Sequence, residues 1–239
     1  MEITEYLKEQ KPLLIKVTKR KYAESFRKGK IYMNSLSVFR EIENKGDEMT
    51  RDIYEGADHV IQSTEFDYLV SPTDKNFRIP SSTIIGGLWR GFEKYSCLKV
   101  FCFYDIKLDI QNKLIHPIDK RIFDFGDTYV LILDIFEFMN RINKELIKND
   151  DLIEKPSVFR HVEYIDAYNY NGSVGPFRKC DEFRWQNEFR LCINLKNKNI
   201  EPYTLDIGDI SDITLIGGIK EMVEKIRFVD ENKLYFACD

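Results

Sequence analysis

Residues 183–194 read FRWQNEFRLCIN, and the rest of the chain is best read outward from them. Phe189, Leu191 and Ile193 alternate with polar or small residues, which is the period of a strand with one face turned to a core. Glu188 then stands at the mouth of that strand, with Gln186 two residues earlier on the same face. An acid and an amide held at the end of a rigid strand form a candidate catalytic pair. The plainer alternative is a charged strand end beside solvated Arg184 and Arg190.

On the C-terminal side, strands are expected at Tyr203–Ile207, Ile213–Ile216 and Lys233–Ala237, with a helix over Ile219–Lys225. On the N-terminal side, Ser157–Tyr168 alternates and leads into the loop NYNGSVGP, whose Gly172 and Gly175 match no phosphate-loop spacing. Leu98–Asp105 and Tyr129–Leu133 are apolar at nearly every position, as strands covered on both faces are. Asp134 caps a helix with Ile135, Met139, Ile142 and Leu146 on one stripe. Closer to the start, a helix over Met1–Gln10 precedes a buried strand, Leu13–Thr18. A helix over Lys19–Lys28 follows, with Tyr22, Ser25 and Phe26 on one face, and Gly29 takes its C-cap. A strand over Lys30–Asn34 and a helical turn opened by Ser35 or Ser37 complete that unit. With no repeat, linker or low-complexity tract, the expectation is one α+β domain over residues 1–239, built on a mixed, mostly antiparallel sheet with flanking helices.

Composition narrows the function classes. The 239 residues carry a net charge of −4, which gives no global field toward nucleic acid or an anionic membrane. Locally, Lys16 to Lys30 holds seven Lys or Arg against Glu24 alone, either a solvated helix face or a grip on RNA or single-stranded DNA aided by Tyr22, Phe26 and Tyr32. The five cysteines are scattered and read as reduced thiols of a cytoplasmic protein. His59, His116 and His161 lie far apart, and no metal-ligand spacing is evident, so no metal site is expected from His or Cys. No apolar run approaches the length of a membrane-spanning helix, and the first residues lack the pattern of a signal peptide. Arg51, Asp52, Glu55 and Gly56 form a small charged constellation. It reads as an acid/base pair or magnesium site, joined by Glu182 in a metal-dependent nuclease, or more plainly as an Arg51 ion pair that fixes a surface loop.

Taken together, Lys16 or Thr18 on the first strand, a helix ending at Gly29, Tyr32 with Ser35, and Gln186-x-Glu188 resemble the ADP-ribosyltransferase superfamily. Trp185, Gln186, Glu188 and Arg190 are also similar to the aromatic-Glu-x-Glu-x-Arg signature of a widespread bacterial group of uncharacterised domains, with Gln in place of its first acid. The first-strand His or Arg typical of the superfamily is replaced here by Lys16. The resemblance implies NAD as substrate, with nicotinamide leaving as positive charge builds on the ribose. It implies that Glu188 stabilises that charge and Gln186 orients the acceptor, a protein or a nucleic acid. Lys16, Thr18, Tyr32, Ser35, Phe39 and Arg40 would bind NAD, with Phe39 or Tyr32 stacked on nicotinamide and Arg40 or Lys16 on the pyrophosphate. The plainer reading of Tyr32 and Phe39 is core packing. A role in bacterial toxicity or phage defence accompanies the resemblance.

Overall fold

The computed structural model describes residues 12–45, 52–149, 158–230 and 233–236. The helix expected over Met1–Gln10 lies outside them. Strand β1 (Leu14–Thr18) leads through helix α1 (Arg20–Arg27) to β2 (Lys30–Ser35) and helix α2 (Leu36–Lys45). After smaller hairpins come β3 (Lys99–Asp105), β4 (Thr128–Ile132), helix α3 (Ile135–Lys148) and β5 (Val158–His161). The short strands β6 (Glu163–Ile165) and β7 (Arg178–Cys180) precede β8 (Glu188–Ile193), and β9 (Tyr203–Asp206), β10 (Thr214–Gly218) and helix α4 (Ile219–Lys225) follow.

Eight of these strands form one sheet, in the order β5-β8-β3-β1-β4-β10, with β2 joined to β3 and β9 joined to β2. All of its pairings are antiparallel. The α+β architecture expected from the sequence is present, and β3 is an interior strand of the sheet, as its nearly continuous apolar run implied.

The sheet forks at β3. One edge of β3 pairs with β8 over its whole length. The other edge pairs with β1 only at Leu14–Asp105 and Ile15–Tyr104, and with β2 only at Asn34–Val100 and Ser35–Lys99. Between these contacts the Phe101–Phe103 stretch faces an opening. Lys16 reaches into it, and its Nζ donates to the carbonyl of Cys102 at 2.8 Å.

A ring-rich core packs one face of the sheet, where Phe26, Phe101, Phe103 and Phe138 meet at centroid distances from 5.0 to 6.1 Å. Helix α3 seals it, because Asp134 Oδ1 accepts from the Glu137 N–H at 2.9 Å and the stripe Ile135, Phe138, Ile142 and Leu146 is buried. A second core holds Ile15, Val17, Tyr129 and Leu131 against Ile219 and Met222 of α4. Helix α1 buries Ala23 and Phe26, whereas Tyr22 is exposed, so the face expected from spacing splits between core and surface. Cys97, Cys102, Cys180 and Cys192 are free thiols.

Candidate active site

Residues 181–186 form a 3₁₀ turn, and Asn187 follows in the left-handed region at φ 39°. Asn is one of the few residues that adopts this conformation at small cost. Its carbonyl accepts from the Asp105 N–H at 2.9 Å, and its amide nitrogen lies 3.2 Å from the Tyr104 hydroxyl. The strand therefore starts at Glu188, and Gln186 is not on it. The reversal at Asn187 instead brings both side chains to one cavity. Both faces of β8 are buried rather than one. Arg190, expected in solvent, is 2% exposed, while Arg184 is exposed and pairs with Asp181.

A charged residue in a central strand must find its partner inside the protein. Arg190 donates from Nε to Glu188 Oε2 at 2.5 Å and from Nη1 to Glu55 Oε1 at 2.7 Å, with Nη2 lying 3.2 Å from Glu55 Oε2. Nη1 also donates to the Pro176 carbonyl at 2.6 Å. Lys179 lies 3.1 Å from both Glu188 Oε1 and Glu55 Oε2. Glu55 is thus buried, at 1% exposure, on the turn from Asp52 to Ala57, which Tyr54 anchors by stacking on Trp89 at 4.2 Å. The surface-loop reading of this constellation is corrected: an acid that answers two buried cations cannot stay in water. Arg51 lies outside the described residues.

The charges settle accordingly. Burial pushes the Glu188 carboxyl up, but Arg190 and Lys179 outweigh it and hold the group at about 2. Glu55 is likewise lowered overall, burial again being overcome by Arg190 and Lys179. Asp52 is buried beside these four groups, close to the Glu55 carboxylate. Burial, and then the Glu55 charge, raise it to about 7. Its folded form therefore prefers the proton, a contribution to stability fully present below the unfolded value near 3.8 and lost as pH rises through about 7. Asp52→Asn is expected to flatten this slope. Urea unfolding midpoints at mildly acidic and mildly alkaline pH check this.

Two adjoining cavities open from the fork. The inner one has a volume of about 160 Å³ and is lined by Gln186, Glu188, Arg190 and Lys179 on one side and by Ile122, Phe125 and Val17 on the other. The outer one, about 740 Å³, is bounded by Thr18, Tyr22, Ser25, Lys30, Tyr32 and Thr204. Lys16, Phe39, Val100 and Cys102 line both. The fork thus brings together Lys16, Thr18, Tyr32, Phe39, Gln186 and Glu188. Tyr32, 55% exposed, stands on the outer wall and is not core packing, whereas Phe39 is partly buried against Leu36, Leu98 and Val100 while lining both cavities. Burial lowers the Lys16 ammonium below its ordinary value despite the raising influence of Cys102 and Glu188. Burial also lifts the Cys102 thiol to about 12, which keeps it out of thiolate chemistry.

Ser35 and Arg40 are directed elsewhere. Ser35 is fully buried, donates to the Ile200 carbonyl at 2.7 Å and receives Lys99 Nζ at 2.7 Å, so it fastens the 199–201 loop to the sheet. The Arg40 guanidinium lies over the Phe92 ring at 4.7 Å. The sequence reading missed Lys179 and undervalued Glu55.

Two further expectations meet the structure here. Part of the basic segment is answered by acids: Lys28 pairs with Asp209 at 2.8 Å, Lys30 with Asp206, and Arg20 with Glu24 at 2.9 Å. Phe26 is in the core and unavailable for stacking. Among the described residues, no group of three His, Cys, Asp or Glu side chains is arranged to hold a metal ion, and no helix is long and apolar enough to cross a membrane. No family model, curated protein or solved structure matches the chain.

Proposed function

We propose that the protein consumes NAD, as an ADP-ribosyltransferase or NAD glycohydrolase. The observation that carries this reading is the convergence of three distant pieces of chain, Lys16 with Thr18, Tyr32 with Phe39, and Gln186 with Glu188, around one forked opening in the sheet. Their sizes suit a divided ligand. An apolar cavity of about 150 Å³ holds a benzene ring, and ligand clefts commonly span roughly 300–1,000 Å³. In this reading the nicotinamide ring enters the inner cavity beside Phe39, and the ADP-ribose occupies the outer cleft.

As the bond to nicotinamide breaks, positive charge grows on the ribose, and only an anion fixed in advance lowers that barrier without reorganising. Glu188 meets the requirement, since its neighbours keep it ionised well below neutral pH. Lys16 lies where the two cavities meet and would pair with the pyrophosphate, whose charge restores the proton affinity that burial takes from the ammonium. Gln186 orients the acceptor, water or a nucleophile on a protein or nucleic acid. A place in bacterial or phage conflict belongs to the same proposal.

Titration of the purified protein with NAD, with nicotinamide release measured for wild type and Glu188→Gln, tests this. Wild type is expected to bind and turn over NAD, and Glu188→Gln to lose roughly 10²–10³-fold in rate while keeping its fold. Full turnover by Glu188→Gln overturns the role of Glu188, and no binding of NAD at millimolar concentration overturns the reading itself.

A further inference from the structure

We propose that Lys179 is the positioning residue of this site: among the described residues its ammonium alone touches both Gln186 and Glu188, and it fixes the ionisation of one and the orientation of the other. This rests on the NAD-cleaving reading for its kinetic consequence and on geometry for the rest. Lys179 comes from β7, which pairs in parallel with β6 outside the main sheet, and its side chain is buried. Nζ lies 2.9 Å from Gln186 Oε1 and 3.1 Å from Glu188 Oε1 and from Glu55 Oε2. An ammonium has three donors and no acceptor, and Lys179 spends two of them on hydrogen bonds to Gln186 and Glu188 while pairing with the Glu55 charge.

Two consequences follow for the cavity. Because Lys179 cannot accept a hydrogen bond, the Gln186 atom facing it must be the oxygen. The amide NH₂ is thereby turned away from Lys179, as the donor that Gln186 offers to an occupant of the inner cavity. The inner cavity then presents a donor beside the carboxylate of Glu188. The second consequence concerns charge. Glu188 faces Lys179 from β7, Arg190 from its own strand, Glu55 from the Asp52–Ala57 turn, Lys16 from β1 and Cys102 from β3, and the Tyr164 hydroxyl accepts from its backbone N–H at 2.9 Å. Arg190 binds Glu188 through Oε2 only, so Lys179 is the cation that holds Oε1.

Glu55 ties the arrangement to the rest of the protein. Its two oxygens receive Arg190 and Lys179, so the two cations that grip Glu188 are themselves spaced by one carboxylate from a distant turn. Arg could keep the charge at position 179, but a planar fork does not reproduce two hydrogen bonds and an ion pair radiating from a single nitrogen.

The test compares wild type with Lys179→Met, Lys179→Gln and Lys179→Arg in two measurements. The first follows the Glu188 side-chain carboxyl carbon by NMR against pH, assigned with Glu188→Gln, and needs no activity. Lys179→Met and Lys179→Gln are expected to raise its titration by about one to three pH units, and Lys179→Arg to restore most of the shift. The second is the pH profile of nicotinamide release. The acid limb is expected to move upward by the same amount in the neutral variants, while Lys179→Arg keeps the limb but raises KM, because Gln186 is no longer oriented. A residue that only supports the fold would lower the melting temperature and leave both profiles in place. Two neutral variants guard against one that fails to fold. An unmoved Glu188 titration in the folded neutral variant overturns the inference, whether or not NAD is cleaved. No binding of NAD at millimolar concentration instead removes the NAD reading and leaves the carboxyl titration to decide Lys179 alone.

Discussion

Arg190→Met is expected to destabilise the protein by about 3–5 kcal/mol, the usual consequence of removing one partner from a buried ion pair. The guanidinium separates Glu188 from Glu55 and donates to both. Methionine fills similar space but leaves two buried carboxylates with Lys179 as their single shared cation. One of them must then take up a proton or pull water into the fork, and either response costs more than the lost hydrogen bonds. For a chain of this size the loss lowers the melting temperature by roughly 6–20 °C. In chemical denaturation the midpoint should fall with little change in slope. Adding Glu55→Gln to Arg190→Met removes one stranded carboxylate, so the double variant should be more stable than the sum of the two single losses predicts. A single variant within about 1 kcal/mol of wild type would show that the cluster is hydrated rather than closed.

Gly29→Ala is expected to be comparably damaging for a purely steric reason. Gly29 closes helix α1 at φ 82°, and a Cβ built there would lie 1.8 Å from the carbonyl oxygen of Gly208. The left-handed conformation costs about 1–2 kcal/mol for alanine by itself. The collision is with backbone, which no rotamer change relieves. To make room, the 207–210 segment must move away and give up the bonds from Ile207 N–H to the Gly29 carbonyl at 3.0 Å and from Ile210 N–H to the Arg27 carbonyl at 2.9 Å. A total loss of about 3 kcal/mol or more is expected. Because β2 and α1 both border the outer cleft, NAD affinity should weaken in the same variant. Thermal melts with and without NAD check both.

Much of the scaffold was legible in the chain because it rests on local pattern. Asp134 with its stripe fixed α3, Gly29 marked the end of α1, and the run Leu98–Asp105, apolar at nearly every position, announced a central strand. Glu188 could be picked out because it stands where an alternating strand begins. The fork could not be read, because it depends on one edge of β3 being shared by two strands, and no local pattern records which strands pair. Lys179 and Glu55 were obscured for the same reason: Glu55 meets Arg190 across 135 residues. A usable signal was nonetheless present. Arg190 lies in the run EFRLCI, where a charge has no access to water and demands a buried acid elsewhere. Glu55, followed by Gly56 and Ala57, is an acid with small neighbours that permit close packing. The placement of Gln186 was misjudged because the left-handed Asn187 breaks the two-residue period on which that reading relied.

The charge cluster also bears on how the chain finds its alignment. Along β8, Glu188 and Arg190 point to one side and Phe189, Leu191 and Ile193 to the other, and both sides are enclosed. Sliding β8 by one residue against β3 exchanges the two sets. The carboxylate and guanidinium would then be driven among Phe101, Phe103 and Phe159, and Phe189 would be pressed onto Glu55 and Lys179. A strand that is apolar on both sides tolerates such a slip at modest cost, whereas this one is denied any comfortable misaligned resting place. The four buried charges thus proofread the pairing of the sheet's central strands as the protein assembles.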